Sequence, residues 1–137
     1  MVDISSYILI FASVVVFGYS LSRFIDNYGA LQQRIHIYRS ILQDLDESPD
    51  ATRRANVVQN VCLLLSYALG AYFAQFAFWV LTLIVAKFSV SCILSDRLYG
   101  LVLDGNASVS RTFYWLHKSD SLLNAALCVF ILIAIVS

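Results

Sequence analysis

Residues 55–95 read ANVVQNVCLLLSYALGAYFAQFAFWVLTLIVAKFSVSCILS, 41 consecutive positions with one formal charge, Lys87, and no proline. A helix that crosses a membrane needs about 20 mostly apolar residues to traverse ~30 Å of hydrocarbon. One unbroken helix of this length would measure about 60 Å, twice that thickness. The stretch therefore reads as two spans joined by a turn. Gln75 is its only polar amide near the middle, Tyr72 and Trp79 are interfacial aromatics, and Gly70 can loosen the incoming helix, so the turn is expected near Tyr72–Phe76.

Two more apolar segments, Ser6–Ser22 and Ser121–Val136, flank the central run. The expected fold is an all-α integral membrane protein, a single domain over 1–137. Its four transmembrane helices fall at about 5–23, 56–73, 77–95 and 120–136. Composition agrees: apolar types make up 60% and Asp, Glu, Lys and Arg 13%, against about 45–50% and 25% in soluble domains. A net charge of zero gives no field that would recruit nucleic acid.

Charge placement predicts the threading. Arg23, Arg34, Arg39, Arg53 and Arg54 lie on or beside the first connection, and Arg97, Arg111 and Lys118 on the third. By the positive-inside rule both connections face the cytoplasm and both termini face out, as in a bacterial inner membrane or an organelle membrane. The Asn106-Ala-Ser sequon then falls on the cytoplasmic side and goes unused. The start Met-Val-Asp-Ile-Ser-Ser has no basic region of a cleavable signal, so the first span is expected to be retained, and no lipidation signal is apparent. Tyr99, Phe113, Tyr114 and Trp115 fit an interfacial aromatic belt.

The first connection carries its own pattern. Phe24, Tyr28, Leu31, Ile35, Tyr38, Leu42 and Leu45 recur with alternating spacings of four and three, the mark of a packed helical stripe. Ser48-Pro49-Asp50 ends this helix and starts the next, with Ser48 as N-cap and Pro49 at the first helical position. A straight helix from Ile4 to Asp46 would measure about 63 Å, whereas the return from Pro49 to Phe73 covers only about 38 Å. The first helix must therefore bend or break on leaving the bilayer, and Gly29 is the expected site. Residues 30–46 are then a cytoplasmic amphipathic helix. Its stripe of Leu31, Ile35, Tyr38, Leu42 and Leu45 would dock on a protein partner or lie on lipid. The scarcity of basic residues and the acidic Asp44, Asp46 and Glu47 at its end favour protein. His36 reads as a solvated residue of the polar face.

Inside the spans, Lys87 is the sharpest signal, because a charge there is costly. It lies about 12 Å from the basic end of its helix and would snorkel, pair with a neighbouring subunit, or line a transport path. Asn56, Gln59 and Asn60, followed by Ser66 and Gly70, form a stripe on the second span. Asp120, Asn124 and Cys128 form one on the fourth, and Thr82 and Ser89 share a face of the third. Such residues usually pack membrane helices together. No acidic residue is expected deep in a span, and no Ser/His/Asp set or intramembrane His pair suggests hydrolysis or haem. Cys62, Cys92 and Cys128 show no metal-ligand spacing and read as buried apolar side chains. They lack the surface pairing used by four-helix quinone-linked disulfide enzymes. No cofactor or metal is expected.

Arg54 and Asn56 at the start of the second span, and Lys87 in the third, invite one comparison. The four-span plan is similar to that of the membrane glutathione-transferase and leukotriene-synthase superfamily. There an arginine and an asparagine at the start of the second helix, with a later acidic residue, hold glutathione. Here the Arg54-to-Asn56 spacing differs, Gln59 stands where the carboxylate belongs, Lys87 replaces an arginine, and that family's tyrosines are missing. The resemblance implies a glutathione-dependent membrane enzyme. The residues themselves point first to a non-catalytic subunit, a scaffold or accessory component of a larger membrane complex. A homo-oligomeric channel or transporter, with Lys87 in a polar path, is the second reading.

Overall fold

A computed structural model describes residues 4–46, 48–105 and 108–136. The Asn106 sequon and Glu47 lie outside the described residues. Five helices follow in order: α1 Ile4–Ile25, α2 Tyr28–Asp44, α3 Pro49–Phe73, α4 Phe78–Leu103 and α5 Arg111–Val136. No strand occurs among the described residues. Helices α1, α3, α4 and α5 are long and apolar enough to cross a membrane. Helices α4 and α5 continue some two turns past the apolar spans, to Leu103 and back to Arg111, building a structured end beneath the spanning part.

The elements begin and end where local chemistry dictates. Ser48 caps α3 by accepting from the Ala51 amide at 3.2 Å, and Pro49, which has no amide proton to lose, opens the helix. α3 ends in a six-residue closure: the Phe76 amide bonds the Ala71 carbonyl at 3.1 Å and the Gln75 amide that of Tyr72 at 3.0 Å. Gln75 takes the left-handed backbone that this closure needs, at φ 58°. The turn thus spans 74–77, slightly later than expected.

The break after α1 falls at Asp26–Asn27, not at Gly29. Asn27 is extended, and its Oδ1 accepts from the Ala30 amide at 2.8 Å, starting α2 afresh. A side chain that satisfies a free helical amide is a stronger boundary than a flexible glycine, and Gly29 remains helical. Gly70 also differs from expectation. It lies within α3, and a Cβ there would come 2.7 Å from Leu9 Cγ, so its role is to let α1 and α3 approach.

Neighbouring helices run antiparallel. Leu9 meets Gly70 and Ser13 meets Tyr67, while Lys87 meets Asp120 and Asn60 meets Ser95. The start of α1 and the end of α5 therefore lie at the same end of the bundle as the 74–77 turn. An upper core of Leu9, Val16, Tyr67, Ala71, Ile84, Phe88, Cys128 and Ile131 ties all four long helices together. Tyr67 stacks on Phe88 with ring centroids 4.4 Å apart. A lower core joins Leu31 and Ile35 of α2 to Leu98 and Val102 of α4 and to Val109. The outer surface is strongly apolar, with Phe11, Val58, Leu69, Leu83, Ile93, Leu123 and Ile133 all exposed. Contiguous apolar surface on this scale suits hydrocarbon and not water.

Candidate functional site

The polar residues of α4 and α5 converge on one buried cluster. Lys87 Nζ donates to Asp120 Oδ1 at 2.5 Å, to Asn124 Oδ1 at 2.7 Å and to Ser91 Oγ at 2.9 Å. Asn124 Nδ2 in turn donates to Asp120 Oδ2 at 3.2 Å. The ammonium has three protons and three acceptors, so its hydrogen-bonding capacity is filled. Both charged side chains are well shielded, at 13% and 9% exposure. The helical spacing explains the set: Ser91 lies one turn beyond Lys87, and Asn124 one turn beyond Asp120, so each helix offers two polar groups on one face.

This arrangement corrects two expectations. Lys87 needs no neighbouring subunit for its counter-ion, which comes from its own chain. A carboxylate does reach into the bundle. Lys87 bends towards Ser91, the direction in which it would snorkel, and Asp120 at the start of the fourth apolar run faces the seam to meet it. Two charges leaving water cost several kcal/mol each, and only close pairing with further hydrogen bonds offsets that.

The α3 stripe divides. Asn60 Nδ2 donates to Ser95 Oγ at 3.2 Å, Ser95 Oγ donates to Asn56 Oδ1 at 3.4 Å, and the Cys92 thiol faces the Asn60 carbonyl at 3.7 Å. Asn56 is buried and its Nδ2 has no partner. Gln59 is exposed, and so is Ser66, whose hydroxyl bonds the Cys62 carbonyl of its own helix at 2.8 Å. Residues 56 and 60 lie one turn apart and face α4, whereas position 59 rotates out of that face. Thr82 and Ser89 likewise bond their own helix, at the Phe78 and Val85 carbonyls. Cys62 is exposed, Cys92 half-buried and Cys128 buried, so the three cysteines do not share one environment.

At the basic end, Arg53 donates to both oxygens of Asp96 at 2.9 and 2.8 Å. These hydrogen bonds hold the Asp96 carboxyl, one residue past the apolar run, below its ordinary value. The pair's contribution is present above that ordinary value and fades as pH falls through the lowered one. Being exposed, it is a small one. Arg54, the residue compared with a glutathione ligand, is exposed.

The α2 stripe also divides. Leu31 and Ile35 are buried and Leu42 packs beside them, but Tyr38 and Leu45 are 46% and 61% exposed. Arg39 was not singled out by sequence, because its role depends on residues more than 60 positions away. Its guanidinium donates to the carbonyls of Val102, Leu101, Asp104 and Gly105 at 3.0, 2.9, 2.8 and 3.2 Å, closing the C-terminus of α4. Tyr28 hydroxyl bonds the Val109 carbonyl, and Tyr114 hydroxyl the Asp26 carbonyl at 3.2 Å, pinning the start of α2 to the other side.

The fold and this cluster define an all-helical chain with four membrane-length helices, stapled near mid-bundle by an ion pair. Compared with protein-family models, with curated proteins and with solved structures, the chain matches none. Among the described residues no group of three His, Cys, Asp or Glu side chains is placed to hold a metal ion.

Proposed function

We propose that this chain is a non-catalytic multi-pass membrane subunit, a scaffold or accessory component of a larger membrane complex. Both termini lie outside the cytoplasm, and α2 is the cytoplasmic docking element. One observation carries the reading: Ile37, Tyr38 and Ile41 of α2 and its C-cap Leu45 are 45–61% exposed, although α2 is not among the membrane-length helices. Their apolar arc continues round the helix from the Leu31–Ile35 arc that is already packed on α4 and α5. A half-covered apolar helix outside the spans suits a second surface to bury. The few basic residues on α2 favour a protein over an anionic bilayer. The closed Lys87 cluster supports a packing role for this charged seam.

Purification from native membranes in mild detergent, with mass spectrometry of copurifying chains, tests this. A stoichiometric foreign chain that is lost in Ile37→Gln/Ile41→Gln, while the monomer still folds, is the expected result. A homo-oligomer that conducts in vesicles and loses flux in Lys87→Met would replace the proposal with a channel. Retention on glutathione resin would replace it with the enzyme reading.

A further inference from the structure

Among the described residues, the buried cation Arg23 forms no ion pair. Arg23, on the last turn of α1, is 6% exposed, and its Nε is buried without a hydrogen-bond partner. Its guanidinium lies over the Tyr19 ring, 4.9 Å from the centroid. On α5 both ring nitrogens of His117 are also buried without partners, and the contacts of Tyr114 with Asp26 and of Lys118 with Phe24 set this part of α5 beside the last turn of α1.

The nearby carboxylates each stand in an ion pair, although Asp26 Oδ2 accepts no well-aligned hydrogen bond. Asp120 holds Lys87, and Asp26 Oδ2 meets Arg34 Nη2 at 2.7 Å. The tally at this level is therefore two ion pairs plus Arg23. Lys118 adds a further positive charge, resting on the Tyr114 hydroxyl at 3.1 Å and over the Phe24 ring at 5.2 Å. A buried guanidinium Nε and two buried imidazole nitrogens, each without a hydrogen-bond partner, are a costly arrangement unless something negative and rich in acceptors joins them. A tetrahedral oxyanion supplies both the charge and the acceptors.

We propose that Arg23 and His117 hold a phosphate group between α1 and α5 at the basic end of the bundle. Its depth points to the source. Arg23 closes the first apolar run and Trp115, 62% exposed, stands on the adjoining part of α5, which is where lipid phosphates lie. The expected ligand is the headgroup of an anionic phospholipid.

The test is thermal unfolding of the detergent-purified full chain titrated with phosphatidylglycerol, with phosphatidylcholine, and with inorganic phosphate. Phosphatidylglycerol should stabilise saturably and phosphatidylcholine should not. Arg23→Gln should raise the apparent Kd for phosphatidylglycerol about tenfold or more, as loss of one charge-assisted contact implies. The exposed Arg54→Gln should leave it unchanged. Arg23→Lys and His117→Gln give the same readout if Arg23→Gln does not fold. Stabilisation by inorganic phosphate alone, sensitive to the same variants, would keep the oxyanion site and reassign its source to a soluble anion. Equal effects of both lipids with none from phosphate, or a lipid effect indifferent to these variants, would overturn the proposal and leave the unpartnered atoms to water.

Discussion

Lys87 and Gly70 show how one atom's surroundings decide a side chain's worth. Lys87 on its own is an expensive charge. With Asp120, Asn124 and Ser91 around it, the expense is largely met inside the chain. Removing only the lysine leaves the Asp120 carboxylate buried without a cation, so Lys87→Met should destabilise the protein by about 3–5 kcal/mol. Lys87→Met/Asp120→Leu should recover most of that loss, because no lone charge remains. Reversible unfolding in mixed micelles measures both, and a double variant as unstable as the single one would contradict the pairing. Gly70 is the converse case, a side chain that must be missing. Gly70→Ala would push a methyl to 2.7 Å from Leu9 Cγ, and Leu9 is itself fully buried, with little room to yield. The same unfolding assay should show a loss of about 1–3 kcal/mol, whereas Gly18→Ala, with open space around it, should show almost none.

At the level of elements, ends matter more than middles. The last turn of α4 is closed by Arg39 from α2, whose planar fork reaches four carbonyls together. Lysine offers a point charge and cannot span them. Arg39→Lys should cost about 1.5–3 kcal/mol and speed amide exchange at residues 101–104, with residues 80–90 unaffected. The end of α3 carries a different cost, since Gln75 holds a left-handed backbone that glycine adopts freely. Gln75→Gly should stabilise by about 0.5–1 kcal/mol. A loss of stability there would mean that the Gln75 side chain contributes more than its backbone strain costs.

For the whole molecule, the antiparallel packing brings the start of α1, the 74–77 turn and the end of α5 to one end, and the Arg39, Arg53 and Arg23 contacts to the other. Cysteines placed at Ile4, Gln75 and Val136 in a background lacking the native three should therefore react with an impermeant reagent from the same side of a sealed membrane. On the positive-inside argument that side is the exterior. One position reacting from the opposite side would break the four-span arrangement. The same packing sets the roles of the two faces of α2. Ile35→Gln should unfold the lower core within the chain itself, while Ile37→Gln should spare it and act only on what α2 meets outside.

Hydropathy and charge by themselves determined the membrane-length helices, the need for a turn inside 55–95 and the Ser48-Pro49 helix start. These rest on local quantities: apolar length against bilayer thickness, and which residues can cap an amide. Periodicity also determined that Asp120 and Asn124 share a face, and that Leu31 and Ile35 belong to a buried stripe. Local signals were less decisive where two residues competed for one role. Asn27, not Gly29, ended the first helix because its side chain satisfies an amide, and Gln75 took a conformation that sequence would give to glycine. Only the tertiary structure decided which polar groups meet. Lys87 and Asp120 are 33 positions apart, Arg39 and the end of α4 more than 60, and Arg23 and His117 lie on the first and last helices. The physical reason is that charge pairing depends on distance in space, which helix register and packing fix jointly and no single segment encodes.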